Sequence, residues 1–599
     1  MTQKFVRLAF LISCLFIIIA VISACAPQEP EVQTVIETVV VKEPGEETVR
    51  IETVVVTVEP EIPTPEPGPK TLRVNIGTYP DIIDPQKSSF VNEIAHLKLI
   101  YEGLTKLNGQ LETVPGAAES WEYNEDATEL TFTLREGLKY SDGSVLNAMR
   151  FRDSLLRNIN PETAGEYAAI TDEVLGAPEW RMGEGDVAVQ GEELVKESVQ
   201  ALDMNGNSCT DYEQEDCRIF KVNLAAPAPY FHTVMSLWVV YPVKAELIAE
   251  GGDNWWNSSK YHVGNGPYIM TSLEPFVRGY FVPNPSYWDG IGKVDVEFSY
   301  ITDTAVQFQA YKNDEFDIVI LGAEDLPTVQ ADPVLSQEAM IYPGNCTMGI
   351  HFHMAKEPFT DPKVRQAFAT ALNREGYVED VLKTLGNPTL TWIPAGFPGH
   401  NPGESRWVFD PEAAKALLAE SSYGSLEALP PIVDTFGDTP RNRVRHEWLV
   451  AKWKEALGVD ITLNPVEPTT YTALTKDVET APQMFLLGWC SDYPDPQNWL
   501  SVYFKSTTSN AEDIAYANDD FDALVNEADT TIDQATRMEL YQQAQDVILE
   551  DSVVAFMYNT VNAYLVKPWV LGLETTPQDS DWPGSNNPVS IDIDTNLMP

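Results

Sequence analysis

Asp492 carries the clearest chemical signal in this chain. It lies within residues 484–499, MFLLGWCSDYPDPQNW, where the apolar run 484–487 gives way to Gly488, Trp489 and Cys490 and then to an acid in an aromatic and proline setting. A short apolar run bounded by Gly and Pro reads as a buried strand that ends at a surface. Asp492 then stands where a cleft can begin. A carboxylate beside an indole, held by a Pro-rich turn, suits the capture of a cationic group; the plainer alternative is a solvated loop acid. Trp489 serves either as a wall for a ligand side chain or as a core indole under the turn.

Other residue types could also do chemistry. His351 and His353 sit two apart, so on a strand both point to one face and could ligate a metal. No third ligand is identifiable beside them, and a metal site needs three or four converging ligands, so the structural reading takes precedence and no metal is expected. The pair His446-Glu447 is followed by Val450 where a zincin helix needs its second histidine, and no GxSxG elbow, Walker loop or dinucleotide fingerprint occurs. No cofactor and no catalytic set are expected. The 90 acids leave room for a paired-carboxylate glycosidase, so a secreted hydrolase stands as one alternative.

The same acids, against 39 Lys and Arg, give a net charge of −51. Attraction to nucleic acid or anionic lipid is thereby disfavoured, and no basic stripe compensates. At 599 residues the chain exceeds one hydrophobic core, so two or three packed units are expected. Lys4 and Arg7 precede an uncharged apolar run, 8–24, shorter than the ~20 residues of a spanning helix and shaped like an export signal. Ile22, Ser23, Ala24 and Cys25 resemble the lipobox of bacterial lipoproteins, which implies a leader 1–24 and a lipid on Cys25. Removing the leader takes the net charge from −51 to −53.

Cys14 falls in that leader, leaving Cys25, Cys209, Cys217, Cys346 and Cys490, an odd set in which Cys25 has the separate fate. Cys209 and Cys217 lie close together in an acidic stretch with no His or further Cys to complete a metal set, so in an oxidising compartment a small disulfide loop is expected. Residues 25–69 hold the near-repeat IETVVV at 36–41 and 51–56 and close on EPEIPTPEPGPK; two copies make no solenoid, and the Pro-rich end reads as a stiff tether.

Beyond the tether, Leu72, Val74 and Ile76 alternate as a strand, and 94–104 shows a helical apolar set with Leu97, Ile100, Tyr101 and Leu104. Leu130, Phe132 and Leu134 predict a half-buried strand. Asp361-Pro362 and Asp410-Pro411 pair an N-cap with Pro at the first helical position; Val364, Ala367, Phe368 and Ala371 line one face after the first, and Ala413, Ala414, Leu417 and Leu418 follow the second. Residues 521–549 read as helical, with Leu524 and Ala528, then Leu540, Ala544, Val547 and Ile548. A strand is expected over 553–558, bringing the chain back toward its first part, and the tail past Trp569 reads as polar loop.

Residues 117–151 contain SWE (120–122), FTLREG (132–137) and YSDG (140–143), which strongly resemble the signature of the peptide/nickel class of extracytoplasmic solute-binding proteins of ABC transporters. GNGPY at 264–268 and NPSYW at 284–288 resemble that class again. Arg150 before Phe151 departs from it, since the family has an acid there. GWCSDYPDP at 488–496 resembles the GWCADYNEP of the oligopeptide-binding branch, with Asn-Glu-Pro replaced by Pro494, Asp495 and Pro496. In that branch the two cysteines matched by Cys346 and Cys490 form a disulfide, and the acid matched by Asp492 binds the peptide α-ammonium.

The resemblance implies an α/β fold of two lobes joined by crossover hinge strands, with a subdomain inserted in the first lobe. The expected divisions are 70–113, 241–345 and 561–599 for the first lobe, 114–240 for the insert and 346–560 for the second. Asp492, Trp489 and Cys490 are the expected ligand-binding residues. The implied function is non-enzymatic: a monomeric receptor, lipid-anchored at Cys25 on the outer face of the cell membrane, that captures oligopeptides between its lobes and delivers them to an ABC permease. The same fold binding an oligosaccharide or a metal chelate is the alternative, and the 14 Trp would suit sugar stacking.

Overall fold

Two long strands, Ala339–Phe352 and Val554–Val566, run antiparallel through the centre of the protein in the computed structural model, which describes residues 70–599. Cys25, the leader and the tether lie outside the described residues. The two strands belong to one eleven-stranded mixed sheet. On one side of them lie Met484–Cys490, Ile432–Gly437 and Ile461–Val466; on the other lie Ile318–Ile320, Thr71–Asn75, Asp295–Ser299, Arg278–Pro283 and Tyr268–Glu274; the eleventh, Asn387–Pro388, pairs with Val554–Val566.

Their mutual register breaks between Pro343 and Thr347. Before the break, 339–343 pair with 561–565 beside Ile318–Ile320; after it, 347–351 pair with 554–559 beside Met484–Cys490. Each long strand thus serves both halves of the molecule, a two-lobed α/β arrangement with crossover strands. The strand expected at 553–558 is one end of this longer crossover.

The unbroken apolar run 484–487 follows from burial on both faces of the sheet. Met484 and Leu486 join a core with Phe352, Phe368 and Trp453, while Phe485 joins one on the opposite face with Trp392, Trp499 and Phe556. Gly488 ends the run because a Cβ there would lie 2.2 Å from the Met348 sulfur and 2.7 Å from the Thr347 carbonyl oxygen. In the other half, Leu72, Val74 and Phe298 share one core with Leu130, Phe132 and Phe220 of a separate antiparallel sheet, ordered Ala118–Tyr123, Glu129–Leu134, Ile219–Asn223, Val199–Leu202. Cys209 and Cys217 are bonded between its last two strands in sequence.

Both Asp-Pro devices cap helices, Pro362–Thr370 and Pro411–Glu420, with the aspartate accepting from first-turn N–H groups. In the second, Ala414 and Leu418 are buried while Ala413 is exposed. Arg150, where the family pattern has an acid, lies in the helix Ala148–Ile159 and forms a two-pronged ion pair with Glu246, at 2.8 Å on both prongs, over the Tyr212 ring.

Three expectations need correction. The helix expected over 94–104 is Val91–Ile100. It starts earlier because Glu93 accepts from the backbone N–H of Ser89 and Phe90, and it stops at Ile100 because the Gly266 N–H takes the Ile100 carbonyl at 2.8 Å. The stretch 521–549 is two helices, Asp519–Thr530 and Gln534–Asp551, since Asp533 caps a new start through Thr536 N–H. The tail past Trp569 is a packed segment with a two-stranded ribbon, and Trp582 and Ile591 are fully buried in the first core.

Candidate functional site

Cys346 and Cys490 face each other directly across the ladder of Ala339–Phe352 and Met484–Cys490, and they are disulfide-bonded. Just beyond, Ser491 N–H donates to the Asn345 carbonyl at 3.0 Å, and the Asn345 amide donates back to the Ser491 carbonyl at 3.1 Å. The strand end is therefore fixed to the crossover next to its register break. Asp492 emerges from this clamp.

Asn498 orients it. Its side-chain oxygen accepts from Asp492 N–H at 3.2 Å and from the Trp489 indole N–H at 3.1 Å, while its amide donates to an Asp492 carboxylate oxygen at 3.3 Å. Asn498 lies in the short helix Pro496–Trp499, capped by Asp495 through Gln497 N–H at 2.9 Å. Asp495 is also gripped by both terminal guanidinium nitrogens of Arg537, at 2.8 and 2.6 Å. The residues that depart from the GWCADYNEP pattern thus build a capped and ion-paired turn beneath Asp492.

Across the gap stands the segment 114–240. Tyr230 stacks on Tyr493 with ring centroids 6.4 Å apart, and the Arg537 guanidinium lies 5.2 Å from the centre of the Tyr230 ring. Beside this contact lies a partly open cavity of about 190 Å³. Asp492, Ser491, Cys490 and Asn345 form one wall; Tyr167, Trp238 and Tyr241 form another; Lys98, Glu102 and the C-terminal residues Gln578, Asp579 and Asn586 close the floor. Asp492 borders the cavity and is half-buried. Burial pushes its carboxyl up to about 6, and hydrogen bonds from Asn498 and Tyr167 only partly oppose that rise.

The floor is assembled by the two short motifs. Asn265 of GNGPY exchanges two 3.0 Å hydrogen bonds with the Glu102 backbone, and a Cβ on Gly264 would fall 1.9 Å from the Ile100 carbonyl oxygen. From NPSYW, the Tyr287 hydroxyl and the Trp288 indole N–H both donate to the Glu102 carboxylate, the latter at 2.6 Å. Burial still raises the Glu102 carboxyl, partly offset by Lys106.

Of the residues singled out in the sequence, Asp492 and Cys490 line the cavity. Trp489 does not; it packs edge-on to Tyr503, 5.2 Å between ring centres, and holds Asn498. Its contribution to Asp492 is support from below. The two histidines do not converge on a common site: His351 bonds the Tyr503 hydroxyl at 2.9 Å, whereas His353 bonds the Val478 carbonyl at 2.8 Å. Burial holds His351 down to about 3, where it stays neutral. Lys98, Tyr167 and the 578–586 residues carried no motif. One signal was available for Lys98: it is the sole Lys or Arg in VNEIAHLKLI, a helix buried on nearly every face.

Fold and cavity together define a two-lobed protein of the solute-binding kind. The model of the bacterial extracellular solute-binding proteins, family 5 (middle region), matches residues 112–511, and the chain belongs to this family. It is 29% identical over 515 residues to the periplasmic oligopeptide-binding protein OppA of Salmonella typhimurium, covering 84% of this chain and 89% of that one. It is 26% identical over 535 residues to the dipeptide-binding protein DppE of Bacillus subtilis, covering 87% and 92%. The solved murein tripeptide binding protein MppA of Escherichia coli shares the fold with a TM-score of 0.68, at 24% identity, over 88% of this chain and 99% of that one.

Proposed function

We propose that the protein captures short peptides by their α-ammonium at Asp492 and presents them to an ABC permease, without chemistry of its own. The observation that carries this reading is a half-buried carboxylate, oriented by Asn498 and facing a cavity, that has no cationic partner among the described residues. A buried charge without a partner is costly, and a ligand ammonium supplies the partner. The names of the relatives OppA and DppE agree with a peptide ligand.

The lobes are taken as 70–113, 241–345 and 561–599 against 346–560, with 114–240 inserted, and the hinge at the register break around 344–345 and Thr560. The protein works as a monomer, held to the outer face of the membrane by a lipid on Cys25; among the described residues no helix is long and apolar enough to cross a membrane. Cys209 and Cys217 staple the insert.

Mass spectrometry of small molecules released by denaturing the purified protein tests the ligand class. Peptides with free amino termini are the expected release, and oligosaccharide or metal chelate released in their place would overturn the reading.

A further inference from the structure

Five charged side chains line the cavity: Lys98, Glu102, Lys106, Asp492 and Asp579. Three of them are matched by the fold. Glu102 accepts from Tyr287 and Trp288, Lys106 pairs with Asp289 at 2.5 Å, and Asp579 accepts from the Tyr342 hydroxyl at 2.8 Å and from the Thr576 and Gly584 N–H groups. Asp492 and Lys98 remain. Lys98 Nζ donates to the Gln578 carbonyl at 3.0 Å and to Asn586 Oδ1 at 2.7 Å, both neutral acceptors. An ammonium has three donors, so one is left over, and no described carboxylate forms an ion pair with it. Burial lowers its affinity for the proton to a pKa of about 8, opposed only by the field of Asp579.

Two charges of opposite sign, each held by neutral groups and without an ion-pair partner among the described residues, therefore share one cavity without pairing with each other. Gln578 holds them apart: its carbonyl binds Lys98, and its side-chain amide donates to the Ser491 carbonyl at 3.0 Å, next to Asp492. A lysine whose only task was to tie down the C-terminal segment would have no need to face the cavity, nor to stay charged in it.

We propose that Lys98 receives a carboxylate of the same ligand whose ammonium Asp492 holds. The inference rests on the peptide reading and narrows it to peptides carrying a carboxylate close to the free amino terminus. With a single residue, Gln578, bridging Lys98 and the neighbour of Asp492, and a cavity of about 190 Å³ against the ~300–1,000 Å³ of drug-sized sites, the space takes one or two ligand residues. The carboxylate is then the C-terminus of a dipeptide or an acidic side chain at the second position of a longer one.

Calorimetry with Ala-Ala, Ala-Ala amide and Ala-Asp amide separates these sources. Wild type should bind at least one carboxylate-bearing peptide tenfold or more tightly than Ala-Ala amide: Ala-Ala if the C-terminus is read, Ala-Asp amide if the side chain is. In Lys98→Met, and equally in Lys98→Gln, that discrimination should collapse to within about twofold. Equal binding of all three by wild type, or discrimination that survives both substitutions, overturns the assignment and leaves the peptide reading standing. No binding of any of the three, together with a non-peptide release, overturns both. The wild-type comparison stands even if a variant fails to fold.

Discussion

Asp492→Asn is expected to weaken binding of a peptide with a free amino terminus by about 2–5 kcal/mol, the cost of leaving one member of a buried charge pair alone, or roughly 30- to 5,000-fold in Kd. The amide keeps the shape and can still meet Asn498, so charge is the main thing removed. A pH dependence comes with it. In the empty cleft the carboxyl titrates near 6, and a ligand ammonium favours the ionised form; wild-type affinity should therefore fall as pH drops below about 6 and fall again above the α-amino pKa of about 8. Asp492→Asn should lose the acidic limb alone. Asp529 and Asp581 also titrate near 6 and Glu173 near 7, so the difference between wild type and variant, measured by calorimetry across pH, isolates Asp492.

Stability of the empty protein moves the other way. Asp492 has a folded-state pKa above its unfolded value, so its contribution is fully present below the unfolded value and is lost as pH rises through about 6. Above that pH the empty Asp492→Asn protein should melt no lower than wild type. Weak binding in a variant of undiminished stability would locate the effect in the cleft; an unchanged Kd would remove Asp492 from the site.

Asp495→Asn is expected to destabilise the protein by about 3–5 kcal/mol, because it strands the Arg537 guanidinium in the interior. The Arg537 side chain is 2% exposed and that of Asp495 13%, with both terminal guanidinium nitrogens engaged. Burial lowers the arginine's hold on its proton, but the neighbouring Asp495 more than restores it. Asparagine preserves an oxygen to cap Pro496–Trp499, leaving the charge as the variable. Urea unfolding measures the loss. A companion Arg537→Met in the Asp495→Asn background should recover part of it, since the unpaired charge and not the missing bond is the main cost. A loss below about 1 kcal/mol for the single variant would mean that water reaches Arg537 freely.

The strand end at 484–490 and the placing of Asp492 on a cleft wall were legible in the sequence, because a doubly buried strand that meets Gly488 must stop near a surface. The crossover architecture was legible only through resemblance: nothing in 339–352 or 554–566 by itself says that each strand belongs to two lobes. Trp489 could not be assigned, since an indole at a strand end satisfies a wall or a support equally well, and only its hydrogen bond to Asn498 decides. Lys98 was missed because a helix was read for its apolar face, and the 578–586 segment because polar, Gly- and Pro-containing stretches look alike whether they face bulk water or a cavity. What brings Lys98, Gln578 and Ser491 together is contact between residues far apart in the chain, which local pattern does not encode.

The most direct test of capture through the ammonium is a calorimetric comparison of one tripeptide with its Nα-acetylated form, in wild type and in Asp492→Asn. Acetylation removes the charge from the ligand as the substitution removes it from the protein. Wild type should lose about a hundredfold or more in affinity on acetylation, and Asp492→Asn should lose far less, since the pair is already broken. Equal affinity of wild type for the free and acetylated peptides would contradict the account.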